Sequence, residues 1–159
     1  MKKFNFSLTI FLLGTLLFVG SLTQSNQLFA QGSGLTTVQS KLSYDQTVSQ
    51  LKQLVAKNGM MVMSEINQGK MLAMTGINLK AVSIFVGNPT VGNKLFTADR
   101  AVGFAVPIRV NIYENIDQKT YISYVSPSTE LAILNNKQVD MIAKMLDQKL
   151  EMLTGMLSK

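Results

Sequence analysis

The C-terminal end of this chain carries an apolar residue at nearly every turn of an α-helix. Val139, Ile142, Leu146, Leu150, Leu153 and Leu157 follow at spacings of three, four, four, three and four, which puts all six on one face. A helix with such a stripe draws most of its stability from packing that stripe against another element. The remainder of the chain must therefore build an apolar surface long enough to receive it.

Five segments have the pattern for that surface. Leu35 to Gln39 suits a first strand, and Met60 to Ile66 a second. Ala81 to Val86 is a continuous apolar run rich in β-branched residues, the signature of a central strand. Gly87-Asn88-Pro89 must turn the chain, because proline has no N–H for a central ladder. Val106 to Tyr113 and Thr120 to Val125 flank Asn115-Ile116-Asp117-Gln118, so an antiparallel hairpin is the natural pairing.

Helices fall between them. Ser43 and Gln46 have capping-box spacing and open a helix whose apolar positions are Tyr44, Val48, Leu51 and Val55. Asn58-Gly59 closes it, since glycine accepts the left-handed conformation that a helix end commonly needs. Gly69 to Thr75 reads as a loop or a single helical turn, and Thr90 to Ala98 as a short helix. Ser126-Pro127 supplies an N-cap and a first-turn proline for a short helix ending near Leu134, before a break at Asn135-Asn136. The order is strand, helix, four strands, helix. That order predicts an α+β fold, β-α-β(4)-α, in which two helices cover one face of an antiparallel sheet.

The N-terminus has a separate purpose. Lys2 and Lys3 precede an uncharged, mostly apolar run from Leu8 to Gly20, and a polar stretch ends at Leu28-Phe29-Ala30. That is the layout of a secretory signal peptide cleaved after Ala30. The expected division is a signal peptide over residues 1–30 and a single domain over 31–159, located in the periplasm or secreted, with no membrane span after cleavage. Removing 30 of the 159 residues leaves 129, with 13 basic residues against 9 acidic and a net charge of +4. Those charges are scattered, whereas nucleic-acid binders cluster theirs, so no nucleic-acid partner is expected.

Composition closes off several chemistries. There is no cysteine and no histidine among the 159 residues. Thiol nucleophiles, Ser-His-Asp triads, zinc sites of the usual kind and disulfides are excluded with them. No cofactor is expected.

The most specific stretch is SIFVGNPTVGNKL, Ser83 to Leu95, an apolar strand running into Gly-Asn-Pro, two residues, then Gly. With Ser43 opening the first helix, Asn58-Gly59 closing it, PIRVNIYE from Pro107 to Glu114 and YISYVSP from Tyr121 to Pro127, the chain resembles the bacterial domain of unknown function 302 family. The resemblance runs from Leu35 to the terminal helix and implies a TATA-binding-protein-like fold without an established activity. Members often carry Glu-Ile-Asp-His after the second strand; here the stretch reads Glu65-Ile66-Asn67-Gln68. Asn and Gln replace two groups that titrate or bind metal, which weakens any such role for this chain.

Five residues stand out as ligand-binding candidates. The turn Gly87 to Lys94 falls short of a phosphate-binding Walker loop, whose lysine directly follows the second glycine. Its Asn88, Gly92 and Lys94 still offer a small anion a helix start and a cation. Arg109 lies on the strand face opposite Ile108, Val110 and Ile112, with Glu65 the acidic residue of a neighbouring strand. A pocket between sheet and long helix with Arg109 or Lys94 at its mouth would mark a binding module for a small anionic or amphipathic ligand.

Methionine is abundant, at ten residues. Met141, Met145, Met152 and Met156 form a stripe beside the leucine face, suited to docking a second copy as a homodimer. Met71 and Met74 are the alternative Cu(I) ligands, since thioethers select that ion. The expected function is thus an exported, non-enzymatic domain that binds a small ligand or self-associates. The alternatives are Cu(I) handling and an enzyme resting on Glu65 or another carboxylate, for which no residue is assigned a catalytic role.

Overall fold

A computed structural model describes residues 34–158. The expected signal peptide over residues 1–30 lies outside them. Strand β1 (Leu35–Gln39) leads into helix α1 (Tyr44–Lys57), then β2 (Met61–Ile66) and a six-residue helix α2 (Gln68–Ala73). Next come β3 (Ala81–Gly87), α3 (Pro89–Ala98), a 3-10 turn over Arg100–Phe104, and the hairpin of β4 (Ile108–Glu114) and β5 (Thr120–Val125). Helix α4 (Pro127–Leu131) and a second 3-10 turn precede the long helix α5 (Lys137–Gly155).

The five strands form one sheet in the order β1-β5-β4-β3-β2, with every neighbouring pair antiparallel. The expected α+β architecture is therefore the one observed. Strand β4 sits at its centre, flanked by β5 and the apolar run of β3. Val82, Ile84 and Val86 of β3 register against Ile112, Val110 and Ile108 of β4, and all six are buried. They share a face with Ile122 and Tyr124 of β5, and against that face pack Leu51 and Val55 of α1 and Val139, Ala143, Leu150 and Leu153 of α5. Paired residues project to the same side of a sheet, so the register alone assigns the two faces.

Local signals set the helix ends. Gln46 accepts from the backbone N–H and the hydroxyl of Ser43, and Thr47 Oγ1 donates to the Ser43 carbonyl at 2.8 Å. Gly59 follows α1 at φ +72, the left-handed geometry its position calls for. Asn136 Oδ1 accepts from the N–H groups of Gln138 and Val139, which starts α5.

Three local expectations change. The strand expected over Val106 to Tyr113 begins only at Ile108, after a cis Val106–Pro107 peptide. Proline contributes no ladder donor, and the two residues serve instead as the approach to the strand. Ser126 makes no side-chain cap bond, although Pro127 does occupy the first turn of α4. Its backbone is used instead, with the N–H donating to the Gly34 carbonyl and the carbonyl accepting from Thr129 and Glu130. The Gly69 to Thr75 region, expected to be loop or one turn, holds α2. Asn67 Oδ1 caps it through the Lys70 N–H at 2.8 Å.

Candidate functional site

The turn that proline forces at the end of β3 creates a concavity. Asn88 leaves the strand in extended conformation, and its Oδ1 accepts from the Val91 N–H at 3.0 Å. Its Nδ2 donates to the Gly59 carbonyl, and its own carbonyl accepts from the Gly92 N–H at 2.8 Å. Helix α3 is thereby launched across the end of the sheet, and the chain returns through Val106-Pro107 to start β4. Between these elements lies a pocket of about 210 Å³. Its floor is Val86, Gly87 and Ile108; its walls are Val91, Leu95 and Phe96 of α3, Pro107, Met63 of β2 and Leu146 of α5.

Two glycines shape that space. A Cβ on Gly87 would stand 3.1 Å from Cε and 3.2 Å from Sδ of Met63. The missing side chain is what lets the Met63 thioether lie over the end of β3. A Cβ on Gly92, which also lines the pocket, would meet nothing within 4 Å.

The five candidate residues separate into four places. Asn88 and Gly92 do line the pocket. Asn88 is occupied as a cap, however, and with Pro89 lacking an N–H and those of Val91 and Gly92 engaged, little of the helix start remains for an anion. Lys94 is exposed on α3 outside the lining. Arg109 and Glu65 lie on opposite faces of the sheet, because Arg109 pairs in register with Phe85 and Glu65 with the buried Ile84. Glu65 forms an ion pair with Lys52 of α1, its side chain 37% exposed. Met71 and Met74 are both exposed, on α2 and at its C-cap. No group of three or more acidic residues that could hold a metal occurs among the described residues.

The sheet face away from α1 and α5 is polar and aromatic. Gln68 Nε2 donates to Ser83 Oγ at 2.6 Å, and Ser83 Oγ lies 3.4 Å from Asn111 Oδ1. Tyr113 and Tyr121 stack with ring centroids 5.7 Å apart. Near Arg109, burial raises the Glu130 carboxyl above the ordinary glutamate range, and the guanidinium pulls it partly back.

Met63, Phe96, Pro107 and Leu146 were not among the sequence candidates. Leu146 was visible as part of the α5 stripe, but nothing local marks it as a pocket wall rather than a core residue. Phe96 lies against Gly103, where an added Cβ would be 3.3 Å from its ring. That contact joins residues from two elements and has no sequence pattern of its own.

Comparisons with known proteins agree with this architecture. The family model described as domain of unknown function DUF302 matches residues 36–157. The crystal structure of an uncharacterized conserved DUF302 protein from Bacillus stearothermophilus superposes with a TM-score of 0.74 at 18% identity, covering 79% of this chain and 99% of that one. Among curated proteins, the fluoride-specific ion channels FluC 1 of Brucella suis biovar 1 (strain 1330) and of Brucella abortus biovar 1 (strain 9-941) are each 28% identical over 97 residues. That stretch is 60% of this chain but only 38% and 36% of the two channel proteins. No helix among the described residues is long and apolar enough to cross a membrane.

Proposed function

The chain belongs to the domain of unknown function DUF302 family, and from its own geometry we propose that it is an exported, non-enzymatic domain that holds a small apolar or amphipathic ligand. The observation that carries this reading is the pocket of about 210 Å³ at the end of the sheet, lined by side chains from β2, α3 and α5. A concave apolar site built from several rigid elements is the usual form of a small-molecule site. Export rests on Lys2, Lys3, the Leu8 to Gly20 run and Ala30.

The non-enzymatic part rests on the pocket's lining, which includes no acidic side chain, and on Glu65, which is spent in a surface ion pair. The copper alternative gains no support from the placement of Met71 and Met74, both exposed, with no Cys or His in the chain to join them. Fluoride conduction, named for the Brucella proteins, stays with those whole proteins.

A second reading has its own observation. Met141 and Met145 are 64% and 67% exposed, and Met152 and Met156 continue the same face of α5. Such a run of adaptable apolar side chains in water is suited to contact with a second copy.

Native mass spectrometry of the protein recovered from the periplasm tests both readings at once. A retained low-mass species supports ligand binding, and a twofold mass supports self-association. A bare monomer that also fails to take up apolar probes overturns both.

A further inference from the structure

The chemistry of the pocket narrows what it can hold. No charged side chain lines it. Asn88, the polar side chain in its wall, has its oxygen engaged by the Val91 N–H and its amide by the Gly59 carbonyl. A carboxylate or ammonium that entered would lose its water and meet no partner, a loss that burial of a small ring does not offset. Lys94 and Arg109, the two candidate cations, are outside the lining.

Size narrows it further. At about 210 Å³ the space exceeds the engineered apolar cavity of about 150 Å³ that takes up benzene. One ring fits, with room for a second fused to it. Met63 and Phe96 are both partly exposed, which places them where the pocket meets solvent. The unbranched Met63 thioether can adjust to the outline of whatever lies beneath it.

Resting on the ligand-binding reading above, we infer that the pocket selects an uncharged, largely apolar molecule of one or two fused rings over an anion of the same shape. Gly92 is the lining residue of α3 that carries no side chain. An added Cβ there meets nothing within 4 Å, so Gly92→Leu enlarges the wall of the site without crowding α3. Met63→Lys does the opposite, bringing an ammonium to the mouth from an exposed position on an edge strand.

The chain contains no tryptophan, so the fluorescence of indole itself reports binding to the purified protein, with indole-3-acetate as the charged probe of the same ring. Indole is expected to bind at least about tenfold more tightly than indole-3-acetate, a margin of about 1.4 kcal/mol. Gly92→Leu is expected to abolish indole binding with an unchanged circular dichroism spectrum, and Met63→Lys to shift the preference toward the acid. Equal binding of the two probes, with both lost in Gly92→Leu, overturns the selection for neutral ligands and leaves the pocket reading standing. Absence of binding by either probe, or indole binding that neither substitution alters, overturns the pocket reading and this inference with it. Should Gly92→Leu fail to fold, Met63→Lys alone decides: an unchanged preference places indole elsewhere and sinks the inference.

Discussion

Gln68 donates its Nε2 to the hydroxyl of Ser83 across 2.6 Å, joining the first turn of α2 to the sheet face away from the two long helices. Ser83 is only 2% exposed, so its hydroxyl depends on protein partners. Replacing Gln68 by Ala removes the shorter of its two contacts and leaves Asn111 at 3.4 Å. The expected loss is about 1–2 kcal/mol in urea unfolding. Amide exchange in residues 68–73 should accelerate well before that in α5. A loss no larger than that of Gln53→Ala, an exposed position on α1, would show that the bond does not anchor α2.

Glu130 gives the protein a pH dependence with a definite sign. Burial raises its carboxyl in the folded state, and Arg109 offsets this only in part. A raised carboxyl means that the folded protein holds its proton more tightly than the unfolded chain. Its contribution to stability is then favourable in acid and is lost as pH rises through the folded value. Glu130→Gln should therefore unfold at a higher temperature than the parent at pH 7, with the gap closing as pH falls below the ordinary glutamate range. Arg109→Ala should raise the Glu130 pKa further, seen by NMR titration of its carboxyl carbon. A Glu130→Gln variant less stable than the parent at pH 7 would reverse the assignment.

The two stripes of α5 should respond to truncation in opposite ways. Leu153 is fully buried among the core residues, and Leu153→Ala should cost about 2–5 kcal/mol through lost contact and the cavity left behind. Met145→Ala, on the exposed stripe, should stay within about 0.5 kcal/mol. Denaturant midpoints measured at one dilute concentration decide this. Equal losses would mean that the methionine face is covered.

The cover proposed for that face is a second copy. Met141→Glu combined with Met145→Glu places two carboxylates on the exposed stripe without touching the leucine face. The self-association reading expects the parent to sediment as a dimer and this variant, at the same concentration, as a monomer. A parent that sediments as a monomer at every concentration removes the self-association reading.

Asn88 links α3 to the end of α1 through one side chain. Asn88→Ala deletes both the bond from Val91 and the bond to Gly59. Loss of an N-cap of this kind costs about 0.5–2 kcal/mol. Because α3 forms a wall of the pocket, the same variant should weaken indole binding as well as stability. Weakened stability with unchanged indole affinity would separate the cap from the site.

The sequence by itself determined the elements and their orientation to the core. The spacing of Leu146, Leu150 and Leu153 named the buried face of α5, and Gln46 and Gly59 bounded α1. Alternation along β4 put Arg109 opposite Ile108 and Val110. These features are legible because each is set by the repeat of one helix or strand, or by a cap within four residues. The tertiary structure decided what those elements bring together. Glu65 was expected on a strand neighbouring that of Arg109, yet β3 stands between β2 and β4, and register sends the two residues to opposite faces. Lys94 sits beside the pocket-lining Leu95 and is exposed outside the pocket. Met63, Phe96 and Leu146 meet around one space only because β2, α3 and α5 converge at the end of the sheet. Contacts between residues 33 to 83 positions apart depend on how several elements close on one another, and no local repeat encodes that closure.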